Sequence, residues 1–101
     1  MTEDAAVVAS NAYKVVFEND KARVLELHMK PGEQTAPHSH PDMIVVMVEG
    51  GEFRFGGPHS STTPADLKID SGTMSFQPAD THTTENIGAS DVHGFLIEFK
   101  G

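Results

Sequence analysis

The 101-residue chain contains no cysteine. Disulfide staples and thiolate ligands are thereby excluded, so any bound metal must draw on nitrogen and oxygen donors. Basic residues are few, with seven Lys and Arg against fifteen Asp and Glu and a formal net charge of −8. A surface of that sign repels phosphate backbones and anionic bilayers, so neither nucleic acid nor a membrane is an expected partner. Long apolar runs are absent as well. The longest, Met43 to Val48, has six residues, against the roughly 20 that a spanning helix needs. Thr2-Glu3-Asp4 is acidic where an export signal is basic. A soluble, cytoplasmic protein is the expectation. Helical periodicity is also missing, because no stretch repeats apolar residues at three and four over eleven or more positions.

Short β-type runs separated by Gly, Pro, Asp and Ser are what the chain does contain. Strands are expected near Lys14–Phe17, Ala22–Met29, Met43–Val48, Glu52–Phe55, Ala65–Ile69, Thr73–Phe76, His82–Asn86 and Val92–Phe99. Turn signals such as Lys30-Pro31-Gly32, Gly56-Gly57-Pro58 and Asp70-Ser71-Gly72 stand between them. Eight short strands at this spacing predict an all-β sandwich or barrel. The length suits a single domain, expected over residues 13–101, with the small, polar residues 1–12 as a flexible N-terminal arm. Gly56–Pro64, with His59, is expected to be a surface loop. Leu25, Leu27 and Met29 share one face of an alternating strand, and Phe95, Ile97 and Phe99 share one face of another. Met43–Val48 is apolar on both faces, which predicts core on one side and a second copy of the chain on the other. A homodimer is therefore expected. Pro31-Gly32-Glu33 leading to Pro37 and a histidine, and Ser71-Gly72-Thr73 leading to Pro78 and a histidine, form an internal echo that suits two similar halves.

Six histidines are present, three of them informatively placed. His38 and His40 are two apart, so on an extended segment both point to one face, with Cα atoms roughly 7 Å apart. Two imidazoles so placed can converge on one ion at ~2.1 Å. Pro37 and Pro41 restrict the backbone on either side. His82 stands at the start of a later strand that a barrel can bring across. A His-x-His pair alone reads equally well as surface histidines bonded to carboxylates, and the surrounding motifs are what favour a metal.

Gly32-x5-His38-Ser39-His40-x3-Ile44-x6-Gly51 closely resembles the first motif of the cupins, in which a glycine, two histidines, a glutamate and a glycine recur at this spacing. Gly72-x5-Pro78-Ala79-Asp80-Thr81-His82-x3-Asn86 resembles the second. The two motifs span Gly32 to Asn86, just over half the chain. The resemblance implies a cupin double-stranded β-helix, a jelly-roll-like barrel, holding a divalent metal on His38, His40 and His82. Three departures stand out: Ile44 in place of the usual ligating glutamate, Asp80 in place of a glycine, and one residue fewer between Pro78 and His82. Without the glutamate, three neutral imidazoles leave the ion's charge uncompensated, and an anionic co-ligand is expected. Three-histidine cupins include iron(II) dioxygenases that bind a chelating substrate. The resemblance therefore implies an iron(II) oxygenase for a small anionic or chelating molecule, with Mn, Ni, Zn or Cu as other metals. A non-catalytic binding module and a metal-assisted isomerase or hydrolase stand beside it, and no general base is evident beside the metal.

Ile44, Val46, Phe53, Phe55, Met74 and Phe76 are expected to line the pocket. Gln77 reads first as simple strand packing, with a reach to the metal through water as the alternative, and His93 is a candidate for lining the cavity behind the ligands. His28, Asp42 and Glu49 read as surface groups, and Asn86 as a structural tie. Met29, Met43, Met47 and Met74 read as core filler, although thioethers turned inward beside the histidines would make a copper site.

Overall fold

A computed structural model of the chain describes residues 4–57 and 65–100. The surface loop expected around His59 and Ser60–Pro64 lies outside them. The described residues form a short helix and nine strands: α1 (Ala5–Val8), β1 (Tyr13–Glu18), β2 (Ala22–Met29), β3 (His38–His40), β4 (Met43–Glu49), β5 (Gly51–Gly56), β6 (Ala65–Ile69), β7 (Met74–Gln77), β8 (Asp80–Asn86) and β9 (Val92–Phe99). The all-β expectation holds, and eight strands fall at or within two residues of their expected ends. The ninth, β3, is the segment that carries both histidines of the pair.

The strands form two antiparallel sheets, β1-β2-β9-β4-β7 and β3-β8-β5-β6. They face each other in the manner of a jelly roll but are not closed into a continuous barrel. Gly32 and Gly72, the two glycines of the internal echo, both sit in turns at positive φ, 82° and 80°. A side chain there would be strained, so the echo marks equivalent turns leading into β3 and β7.

One seam between the sheets is covered. The first twelve residues, expected as a flexible arm, are docked from Asp4 onward. Asp4 caps α1 by accepting from the Ala6 amide, and its backbone bridges to Ser39 of β3. Ala5, Ala9 and Ala12 are buried in the core. Small residues are what a helix wedged between β1 and β3 requires, so the composition that suggests looseness reflects a tight fit.

The inner faces of the sheets meet in a core that includes Leu25, Leu27, Met29, Met43, Met47, Phe53, Val92 and Leu96. In β9 the buried residues alternate as Val92, Gly94, Leu96 and Glu98, so Phe95, Ile97 and Phe99 occupy the outer face. Outward too are Ile44 and Val46, which pair with Ile97 and Phe95 on one side and with Phe76 and Met74 on the other. Met74 is 69 % exposed and is not core filler.

Candidate metal centre

Strand β3 pairs with β8 in a register that sets His38 opposite His82 and His40 opposite Asp80. Alternation places all four side chains on the inner face of the sheet. The departures of the second motif therefore do not turn His82 away. Neighbouring ring centroids lie 4.8–5.4 Å apart, and the candidate ligand atoms of the three histidines lie within 4.8 Å of one another. Donors bound at ~2.1 Å stand at most ~4.2 Å apart, so the rings need to draw together by only a few tenths of an ångström.

The other ring nitrogens are already engaged. His38 Nδ1 donates to the Ala36 carbonyl at 2.9 Å, with Thr35 Oγ1 at 3.2 Å. His40 Nδ1 donates to Glu98 Oε2 at 2.7 Å. Since carbonyl and carboxylate oxygens only accept, both protons sit on Nδ1 and both Nε2 atoms carry lone pairs. His38 Nε2 and His40 Nε2 are buried with no hydrogen-bond partner. A buried acceptor left unpaired costs on the order of 1–3 kcal/mol, and an ion ligated there removes that cost. His82 Nδ1 lies 3.7 Å from Asp80 Oδ2. The donor set fits a divalent metal, with an accepting oxygen behind His38 and His40 to hold their rings. Burial, foremost, pushes the pKa values of His38 and His82 down to about 4, so both stay neutral and ready to ligate at ordinary pH.

Glu98 anchors a chain of charges running out from the site. Its other oxygen accepts from Arg23 Nε at 3.0 Å and Nη2 at 2.7 Å, and Arg23 closes a two-point pair with Asp4 at 2.8 Å. The residue that caps α1 thus also braces the guanidinium that holds Glu98. Tyr13 packs against His38 and His40 at 5.0 and 5.2 Å, and its hydroxyl lies 3.2 Å from Thr84 Oγ1; burial, foremost, pushes the phenol up to about 12.

A cavity of about 370 Å³ opens beside His40 and His82. Phe53, Phe55 and Gln77 line it, whereas Ile44, Val46, Met74, Phe76 and His93 do not. The strand β4 presents Met43, Val45 and Met47 instead, one residue out of step with the expectation. Ile44 therefore does not take the place of a ligating glutamate, and the inward positions of β4 are apolar all the same. His93 is on the outer face, 2.7 Å from Glu26, with His28 beside it, paired to Asp91 at 3.2 Å. Gln77 bonds to Ser75 at 3.3 Å, and Met43 and Met47 line the cavity that His40 and His82 face. Asn86 is a tie, as expected, donating to the Met29 and Ser90 carbonyls.

No protein-family model and no curated protein matches the chain. Solved structures do. A cupin domain from Bordetella pertussis Tohama I superposes with a TM-score of 0.78 at 21 % identity, covering 100 % of this chain and 99 % of that one. The fold is that of the cupins. A cupin family protein with a double-stranded β-helix fold from Methanocaldococcus jannaschii gives a TM-score of 0.66 at 15 % identity, covering 86 % of this chain and 77 % of that chain. A double-stranded β-helix protein from Klebsiella pneumoniae gives 0.66 at 23 %, covering 88 % of this chain and 76 % of that one. Within this cupin fold, the sequence points to the three clustered histidines and not to Glu98, Tyr13 or Val45. Glu98 carries a faint signal, as a lone carboxylate in the otherwise apolar end of β9.

Proposed function

We propose that the chain is a metal-dependent cupin that binds a small anionic or chelating molecule against a divalent ion on His38, His40 and His82 and acts on it as a dioxygenase. The observation that carries this is the pair of buried, unpartnered Nε2 atoms beside His82. Iron(II) is the favoured metal, with Mn, Ni, Zn or Cu as alternatives. The ion supplies Lewis acidity and, as iron(II), a means of engaging dioxygen. The chain's own residues hold and enclose. Glu98 and Ala36 keep the ligating nitrogens deprotonated, Tyr13 packs behind the ligands, and Met43, Val45, Phe53 and Leu96 keep the cavity dry.

A second reading has its own support. Asp80 lines the cavity next to His82, and a carboxylate there suits a general base in a metal-assisted isomerase or hydrolase. Anaerobic reconstitution with each metal, followed by oxygen uptake against a panel of small acids, separates the two. Oxygen consumption only with iron and one class of acid supports the dioxygenase. Turnover without oxygen supports the second reading. Stoichiometric metal without turnover points to a binding module.

A further inference from the structure

The described residues of the cavity wall are mostly apolar and supply no counter-charge for a second anion. They include no Lys or Arg. Two carboxylates stand on it, Asp66 and Asp80. Asp66 is paired with Arg54 at 2.7 and 3.1 Å on the exterior. Asp80 faces the ligands, opposite His40 in the strand register. Among the described residues of the wall, an ion on the three histidines would be the only source of positive charge. Phe53 and Phe55 stack at 5.6 Å with an interplanar angle of 14°, and the Phe55 ring stands 5.4 Å from His82. An apolar surface thus leads directly away from the ligands, continued by Leu67 and Ile69 of β6.

We infer that the cavity selects a monoanionic acid with an apolar body: one carboxylate or enolate at the metal, the remainder a short aliphatic or aromatic group against Phe53, Phe55 and Leu67. This rests on the metal reading above and narrows it. A dianion of equal length would leave its second charge in an apolar wall, facing Asp80, with nothing to neutralise it. A very short acid would reach the ion but leave the apolar wall wet. The volume, about 370 Å³, lies at the small end of the ~300–1,000 Å³ range of ligand pockets, so bulky or polymeric substrates are excluded. Gln77 adds a polar side chain to the wall from the edge strand β7.

The test uses the full chain loaded with cobalt(II), with retained metal measured first, and titrates acetate, hexanoate and adipate calorimetrically. Hexanoate is expected to bind at least tenfold more tightly than acetate and than adipate, and stripping the cobalt should weaken hexanoate at least tenfold. Gln77→Arg, at an exposed position on the cavity wall, should raise the ratio of adipate to hexanoate affinity at least fivefold. Equal binding of adipate and hexanoate, or of acetate and hexanoate, by cobalt-loaded protein overturns this inference alone. Hexanoate binding that is indifferent to the metal overturns it too. A chain that retains no cobalt overturns the metal reading and this one with it.

Discussion

Glu98 is the residue on which the geometry of the site depends most, and the substitution that isolates its role is Glu98→Gln. The side chain is 3 % exposed. One oxygen accepts from His40 and the other from Arg23. Glutamine keeps the shape but has one accepting oxygen and one donating NH₂. If the oxygen stays with the guanidinium, the NH₂ faces His40 Nδ1, which must then accept, and the proton moves to Nε2, where it blocks the metal. If the oxygen faces His40, the NH₂ meets the guanidinium, donor against donor. Both arrangements also remove the charge that balances Arg23. Loss of such an outer partner typically weakens metal binding 10–100-fold, about 1.4–2.8 kcal/mol at 1.4 kcal/mol per tenfold. The fold should lose about 1–3 kcal/mol from the broken charged hydrogen bonds, and Glu98→Ala about 3–5 kcal/mol, because a largely buried guanidinium then loses its inner partner. Competition against a chelator measures the first quantity and urea unfolding of metal-free protein the second. Asp4→Asn, whose side chain is 41 % exposed, should shift metal affinity less than threefold. Metal affinity of Glu98→Gln within twofold of the wild type would refute the positioning argument.

The remaining predictions follow from the same coordinates. His38 and His82, ordinarily near 6.5, are held down to about 4, so the unfolded chain binds protons first as the pH falls; metal-free protein should keep its full stability above about 6.5 and lose on the order of 3 kcal/mol per histidine by pH 4, and urea midpoints that stay flat across that window would contradict it. Ile44→Glu should leave metal affinity within twofold, because residue 44 faces outward, whereas Val45→Glu places a carboxylate on the cavity wall and should change it at least tenfold; the opposite ranking in chelator competition would restore the sequence expectation. The outer face of the five-stranded sheet carries an apolar row across every strand, Phe17, Val24, Ile97, Ile44 and Phe76, with β9 at its centre. A two-fold axis through β9 lays this row on its own copy, so light scattering should report a dimer that Ile44→Glu or Phe76→Glu dissociates, and a monomer mass at every concentration would count against that.

Much of this was legible in the chain, and the rest failed for identifiable reasons. Gly, Pro and Asp punctuation locates the strands because turn chemistry is local. The histidine pair is legible because a spacing of two on an extended segment admits one geometry. The parity of β4 and β9 is not legible. Both strands carry apolar residues on both faces, so period two does not say which face looks inward. That ambiguity sent Ile44, Val46, Met74, Phe76 and His93 to the cavity and hid Val45 and Glu98. Residues 5–12 misled differently, since alanines that fit beneath a seam look the same in sequence as alanines that fit nothing. Asp80 was visible only as a departure from a motif; its meaning came with the register that sets it opposite His40.

The central claim is that three imidazoles converge with their lone pairs on one ion, and metal stoichiometry tests it most directly. The full chain, stripped with chelator, reloaded separately with Fe, Mn, Ni, Zn and Cu and desalted, should retain close to one equivalent of at least one of them by elemental analysis. His38→Ala and His82→Ala should retain less than a tenth of an equivalent while keeping the β-sheet circular dichroism of the wild type. Wild-type protein that retains no more metal than those variants would contradict the account.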